Sequence, residues 1–159
     1  MNRSTLAATS LAVAAAAGTG SIASPRGVSS WYSRLRKPPY QPPRAAFPLA
    51  WTTLYGDIAA SSAVAIDRFR ATGQHDEANR YIAALSVNLF LNAGWTWLFF
   101  RYHKLGASAL GAAALAASSA DLARRAAQAD TRAGLALLPY PVWCSFATAL
   151  STHIWRLNR

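Results

Sequence analysis

Three groups of side chains in this chain have types and spacings that could do chemistry, and they are aromatic or amide rather than charged. Trp51 and Tyr55 stand four residues apart, which puts them on one face of a helix. Asn88, Asn92 and Trp95 fall at i, i+4 and i+7, with Phe90 among them. Trp143, Phe146, Ala147 and Leu150 repeat that spacing near the end of the chain. Helices that each carry such a stripe can enclose an apolar cavity with a few polar anchors, the kind of site that flat apolar ligands occupy. In the competing reading the asparagines are interhelical hydrogen-bond partners and the aromatics pack or face lipid.

The same residues offer little to a catalyst or a metal. His75, His103 and His153 are far apart and match no metal-ligand spacing. There is no Ser-His-Asp or Cys-His arrangement, no phosphate-binding loop and no dinucleotide fingerprint. Neither a catalytic nor a metal site is assigned. Asp57 is the single acid well inside an apolar segment, where it must face a cavity, find a partner or carry a proton. The lone Cys144 excludes an internal disulfide.

Stepping from these residues to the elements that must hold them, the informative feature is where charge is missing. Charged residues make up 14% of the chain, against about 25% in an ordinary soluble domain. Arg3 and Arg26 enclose 22 uncharged residues, Arg80 and Arg101 enclose 20, and Arg132 and Arg156 enclose 23. At about 1.5 Å per residue, helices of this length cross the ~30 Å apolar core of a bilayer. A soluble helix this long would show a charged face. Two weaker runs, 12 residues from Arg44 to Asp57 and 16 from Lys104 to Asp121, complete the pattern. The chain is therefore predicted to be an all-α integral membrane protein, one domain over 1–159. Its five transmembrane helices are expected near 5–24, 46–66, 80–100, 105–124 and 134–155, with a loop near 25–45. From the residues alone, the first segment reads equally as a cleavable secretory signal, with Arg3, an apolar stretch and the small residues Ser21-Ile22-Ala23.

Five spans would place Arg3, residues 67–80 and 124–132 on one face, and residues 25–45, 101–104 and the C-terminus on the other. The first face holds seven Arg or Lys and four acids; the second holds nine and no acid. The excess of basic residues predicts the N-terminus outside and the C-terminus inside. A net charge of +10 could point to nucleic acid. The cations, however, sit at helix ends beside Trp and Tyr, where membrane proteins keep interfacial anchors, so no nucleic-acid partner is expected.

Taken in order, WYSRLRKPPYQPPRAAFPLAWTTLY, NLFLNAGWTWLFF and LLPYPVWCSFATAL followed by IWRLN resemble the translocator protein family, the tryptophan-rich sensory or TspO/MBR proteins, over residues 31–158. The resemblance implies five membrane helices around a pocket capped by the loop after the first helix, and a retained first helix. It also implies a homodimer in the lipid bilayer. Family members bind porphyrins and haem-related tetrapyrroles and, in animals, cholesterol and benzodiazepine-type ligands. Transport, sensing and photo-oxidative porphyrin degradation have each been put forward as roles. By the same resemblance Trp51 and Trp143 match the pocket tryptophans, Trp31 and Tyr32 the loop aromatics, Ala147 the small pocket residue and Asn92 the asparagine of the third helix.

Asn88 stands where glutamine is usual, Ser151 where asparagine is usual, and Pro141 where leucine is typical. Thr152 occupies the place of the animal sterol-recognition tyrosine, with His153 beside it. The expectation is a tetrapyrrole-binding membrane protein, a sensor, scavenger or transporter with no covalently bound cofactor and porphyrin or haem as ligand. Trp51, Trp143 and Phe90 would contact the ring, with Tyr55, Trp95 and Phe146 around it. Asn88 and Asn92 would orient it, and Arg44 would meet its propionates. A light- and oxygen-dependent porphyrin-degrading enzyme, or a structural membrane protein with a vestigial pocket, are the alternatives. The membrane would be the cell membrane in a bacterium and an organelle membrane in a eukaryote.

Overall fold

A computed structural model describes residues 1–23 and 30–159. The first part of the predicted 25–45 loop, up to residue 29, lies outside the described residues. Those described form helices α1 (Arg3–Ala23), α2 (Ser30–Arg34), α3 (Ala46–Ala71), α4 (His75–Thr96), α5 (Leu105–Ala129), α6 (Thr131–Leu137) and α7 (Pro139–Leu157), and no strand. α4 runs directly into a π-helical turn at Trp97–Arg101.

Among the described residues, four helical stretches are long and apolar enough to cross a membrane: α1, α4 with its π turn, α5, and α6 with α7 taken together. The 26-residue α3 is not among them, because Thr52, Thr53, Asp57, Ser61 and Ser62 make it too polar. Its position accounts for that composition. α3 touches α1, α4, α5, α6 and α7, and its polar groups find partners there or within the helix. Thr9 Oγ1 donates to the Ala59 carbonyl at 2.9 Å, Ser62 Oγ and Tyr81 Oη lie 3.0 Å apart, and Ser61 Oγ donates to Asp57 Oδ1 at 2.8 Å. Thr52 and Thr53, on the exposed side, donate instead to the Pro48 and Leu49 carbonyls of their own helix at 2.7 and 2.9 Å, the way a hydroxyl is satisfied without a neighbour.

The helix ends follow from local chemistry. α3 stops at Thr72, and Gly73 takes φ +75°, a left-handed conformation that glycine adopts without a Cβ penalty. The Gln74 N–H then bonds the Phe69 carbonyl at 2.8 Å and the Gly73 N–H bonds that of Arg70 at 3.1 Å, closing the helix by a Schellman pattern. α4 begins at His75, earlier than the uncharged run, because Asp76 and Glu77 in its first turn suit the positive end of the helix dipole. Asp130 turns extended between α5 and α6, and its Oδ1 accepts the Arg132 and Ala133 N–H groups at 2.9 and 3.1 Å. α6 then approaches α5 so closely that a Cβ on Gly134 would lie 2.4 Å from Ala127 Cβ.

The single helix predicted over 134–155 is two helices. Pro139 and Pro141 have no N–H for the carbonyls of Leu135 and Leu137, so the ladder breaks at Leu138, whose own N–H shortens to Leu135 at 3.2 Å. Pro48 falls in the first turn of α3, where no partner is lost. Ion pairs join Arg68 to Asp130, Arg80 to Glu77, and Arg124 and Arg125 to Asp121, all at one end of the bundle. The opposite end has none among the described residues.

Candidate functional site: an aromatic cavity under the lid

A cavity of about 350 Å³ opens between α1, α3, the end of α4 and α7, beneath the segment that carries α2. α3 supplies Phe47, Trp51 and Tyr55; α7 supplies Trp143, Phe146, Ala147, Leu150, Ser151 and Ile154. Both sets follow the helical repeat, so each helix turns one continuous face inward. α4 and its π turn add Trp95, Thr96, Phe99 and Phe100, while α1 closes the wall with Ala17, Gly20 and Ser21. A Cβ at Gly20 would make only an ordinary 3.5 Å contact with the Thr96 side chain, so α1 and α4 pack closely here without requiring glycine.

The π turn matters for placement. The Tyr102 N–H reaches back five residues to the Trp97 carbonyl at 3.0 Å, and that of Lys104 six residues to Leu98. Adjacent Phe99 and Phe100 both reach the cavity from this turn, as the neighbouring pairs Phe146–Ala147 and Leu150–Ser151 do from α7. Their rings meet edge to face at 4.9 Å. Trp95 stacks on Phe99 at 5.7 Å, Trp51 lies 5.5 Å from Tyr55 and 6.4 Å from Trp95, and Phe47 meets Trp143 edge-on at 5.9 Å. Among the described residues, none that lines the cavity carries a charge. The result is a set of flat, polarisable walls with the hydroxyls of Tyr32, Ser21, Thr96 and Ser151 at intervals.

The structure brings together Tyr32, Trp51, Tyr55, Trp95, Trp143, Phe146 and Ala147 as cavity residues. Four other predicted site residues lie elsewhere. Phe90 is 78% exposed on the outer side of α4, because two residues along a helix is a rotation of about 200° from Asn88. Asn88 and Asn92 are buried behind the wall and fully engaged. Tyr55 Oη donates to Asn92 Oδ1 at 3.0 Å; Asn92 Nδ2 donates to Tyr140 Oη at 3.2 Å; Tyr140 Oη donates to Asn88 Oδ1 at 2.8 Å. Asn88 Nδ2 finishes the chain at Ser118 and Ser119, 3.1 and 3.3 Å away. These amides join α3, α4, α5 and α7 and position Tyr55, rather than meeting the cavity. Trp31 packs on the lid side, stacked on His103 at 3.8 Å and edge-on to Phe99 at 5.9 Å.

The spacing of Trp51 and Tyr55 does not point to Phe47, but extending the Asn92-Trp95 stripe by one turn reaches Phe99. Nothing in the sequence announces the π turn that adds Phe100. Asp57 hydrogen-bonds Ser61 and is not a cavity residue. The histidines stay apart, and among the described residues no three His, Cys, Asp or Glu side chains come together as a metal site.

The lid is fastened at several points. Asn158, past the end of α7, accepts the Arg36 N–H and donates to the Arg36 carbonyl, both at 2.9 Å. Tyr40 Oη lies 3.0 Å from His153 Nδ1. Tyr32 is buried against Phe99 and Phe100, accepts from Gln41 Nε2 at 2.9 Å, and has Lys37 Nζ 4.7 Å above its ring. Burial raises the Tyr32 phenol above its usual range, against the smaller opposing pull of Gln41 and Arg44. The hydroxyl at the cavity roof is therefore neutral at physiological pH.

The fold and the site together define a multi-pass helical membrane protein with an aromatic cavity closed by a basic, proline-rich loop. The chain belongs to the TspO/MBR family, whose model matches residues 8–156. It is 34% identical over 151 residues to protein CrtK of Rhodobacter capsulatus, covering 93% of this chain and 89% of the relative. A tryptophan-rich sensory protein of Cereibacter sphaeroides is 32% identical over 147 residues, with 92% and 87% covered. The translocator protein of Ovis aries is 30% identical over 129 residues, with 81% and 75% covered.

Proposed function

We propose that the cavity binds a tetrapyrrole of the porphyrin or haem type, and that the protein acts as its sensor, scavenger or carrier across five membrane spans. The observation that carries this reading is the uncharged wall of Trp51, Trp95, Trp143 and Phe99, whose faces suit a flat conjugated ring. Arg44, exposed on the lid and 3.4 Å from Ser33 Oγ, would meet ring carboxylates at the mouth by charge-assisted hydrogen bonds. The names of the relatives, sensory and translocator proteins, agree with binding coupled to signalling or movement. In this reading α3 is the fifth span, the lid faces the cytoplasm, the N-terminus lies outside, and the protein works as a homodimer in the bilayer.

Adding protoporphyrin to the purified protein should quench its tryptophan fluorescence, and Trp51→Ala with Trp143→Ala should weaken both quenching and affinity. Unchanged quenching in the double variant would refute the proposal. A second reading, light- and oxygen-dependent degradation of the porphyrin, draws on Trp51 lying 6.4 Å from Trp95 as a route for an electron away from the ligand. Illumination in oxygen should then yield a new absorbing product at a rate that falls in Trp51→Phe. Simple bleaching at the same rate in both proteins rules it out.

A further inference from the structure

At the opposite end of α1 from the aromatic cavity, α1 and α4 leave a crevice of about 220 Å³ over the last turns of α3. Its floor is buried Thr5, Thr9, Ile66, Leu85 and Leu89, and Arg70 stands at its mouth. A second recess of about 430 Å³ continues along the same seam, shares Ala12 and Leu89 with the first, and ends at Thr19 and Trp97. From Ser4 to Thr19 the seam follows α1 for about 22 Å. Both helices that form it are apolar enough to span the membrane, so the seam is a lane through the apolar slab with a cation at one end.

Arg70 differs from most of its neighbours at that end. Arg68, Arg80, Arg124 and Arg125 each sit against a carboxylate. Among the described residues no carboxylate lies within 4.0 Å of Arg70, and its Nη1 reaches Thr5 Oγ1 at 3.5 Å inside the crevice. Asp67, one turn earlier, already accepts the Asn2 N–H. A guanidinium beside hydroxyls, above an uncharged lane, matches an anionic head joined to an acyl chain.

We propose that this seam holds one anionic phospholipid, its phosphate on Arg70 and Thr5 and one acyl chain along α1 and α4 past Ala12. The site is separate from the aromatic cavity and stands whether or not that cavity takes a tetrapyrrole.

Native mass spectrometry of the full chain, released from detergent with phosphatidylglycerol, phosphatidylcholine or inorganic phosphate, tests it. The wild type should retain phosphatidylglycerol about tenfold better than phosphatidylcholine, whose choline ammonium offsets its phosphate charge beside the Arg70 guanidinium. Arg70→Gln should remove that preference, Arg70→Lys should restore part of it, and Ala12→Phe should lower retention of both lipids by blocking the lane. Arg3→Gln removes a charge from the same end outside the crevice and should change retention less than about twofold; circular dichroism checks that every variant is folded. The proposal is overturned if folded Arg70→Gln keeps the preference, if Ala12→Phe keeps wild-type adducts, or if Arg3→Gln acts as strongly as Arg70→Gln. Displacement of the lipid by inorganic phosphate alone, or loss of a dimer in Ala12→Phe with lipid adducts intact, overturns it equally.

Discussion

Replacing Tyr140 by Phe separates two roles for the buried amides, orienting a ligand or tying helices together. The Tyr140 hydroxyl accepts from Asn92 Nδ2 at 3.2 Å and donates to Asn88 Oδ1 at 2.8 Å, and both asparagines are 2% exposed or less. Removing the oxygen orphans one donor and one acceptor where no water reaches them. An unsatisfied buried polar group costs about 1–3 kcal/mol in a soluble core. Interhelical hydrogen bonds inside membranes average nearer 0.6 kcal/mol, because the unfolded chain finds other partners there. Asn88 keeps Ser118 and Ser119, and Asn92 keeps Tyr55, so neither amide loses everything. Two orphaned groups then imply a loss of about 2 kcal/mol.

Thermal unfolding in detergent, followed by circular dichroism, should show this as a clear fall in midpoint relative to wild type. Protoporphyrin affinity measured by tryptophan quenching should change less than about threefold, or ~0.6 kcal/mol, since Tyr140 is not among the lining residues. The opposite pattern, wild-type stability with a tenfold loss of affinity, would show that the asparagines serve the ligand directly and do not tie the helices together.

Ala147→Phe places a ring in the cavity and should abolish protoporphyrin quenching while shifting the unfolding midpoint little, because the added atoms enter empty space; retained quenching would remove the cavity from consideration as the site. Gly134→Ala forces a Cβ to 2.4 Å from Ala127 and should cost about 1–3 kcal/mol, read as a lower unfolding midpoint with ligand affinity unchanged. Asn158→Ala deletes both bonds to Arg36 on an exposed surface. Stability should fall by less than about 1 kcal/mol, while limited trypsin digestion after Arg36 or Arg44 should quicken and ligand release should accelerate.

Much of this molecule is legible in its sequence because the bilayer imposes simple rules. Uncharged runs of 20 or more residues between arginines mark α1, most of α4 and the last two helices, since lipid tolerates few charges and fixes the length of a span. Prolines mark where α3 begins and where α6 gives way to α7, because a missing N–H is a local fact. The pairing of Trp51 with Tyr55, and of Trp143 with Phe146 and Ala147, follows from helical phase alone.

What tertiary structure decided was which neighbour each face meets. Asn88, Asn92 and Trp95 share a stripe, yet Trp95 lines the cavity while the amides are taken up by Tyr140, 48 to 52 residues away. Phase ranks residues around one helix, but it carries no information about the helix opposite. Trp31 and Tyr32 are adjacent, and only the stack on His103 and the contact with Phe99 and Phe100 send one to the lid's outer side and the other to the cavity roof. The polar α3 shows the same dependence in part, since Ser62 pairs with Tyr81 of α4 and the Ala59 carbonyl accepts from Thr9 of α1, partners that only the packed bundle supplies. Local spacing and solvent preference are properties of the chain; the partner that satisfies a buried polar group or receives an aromatic face exists only once the helices have packed.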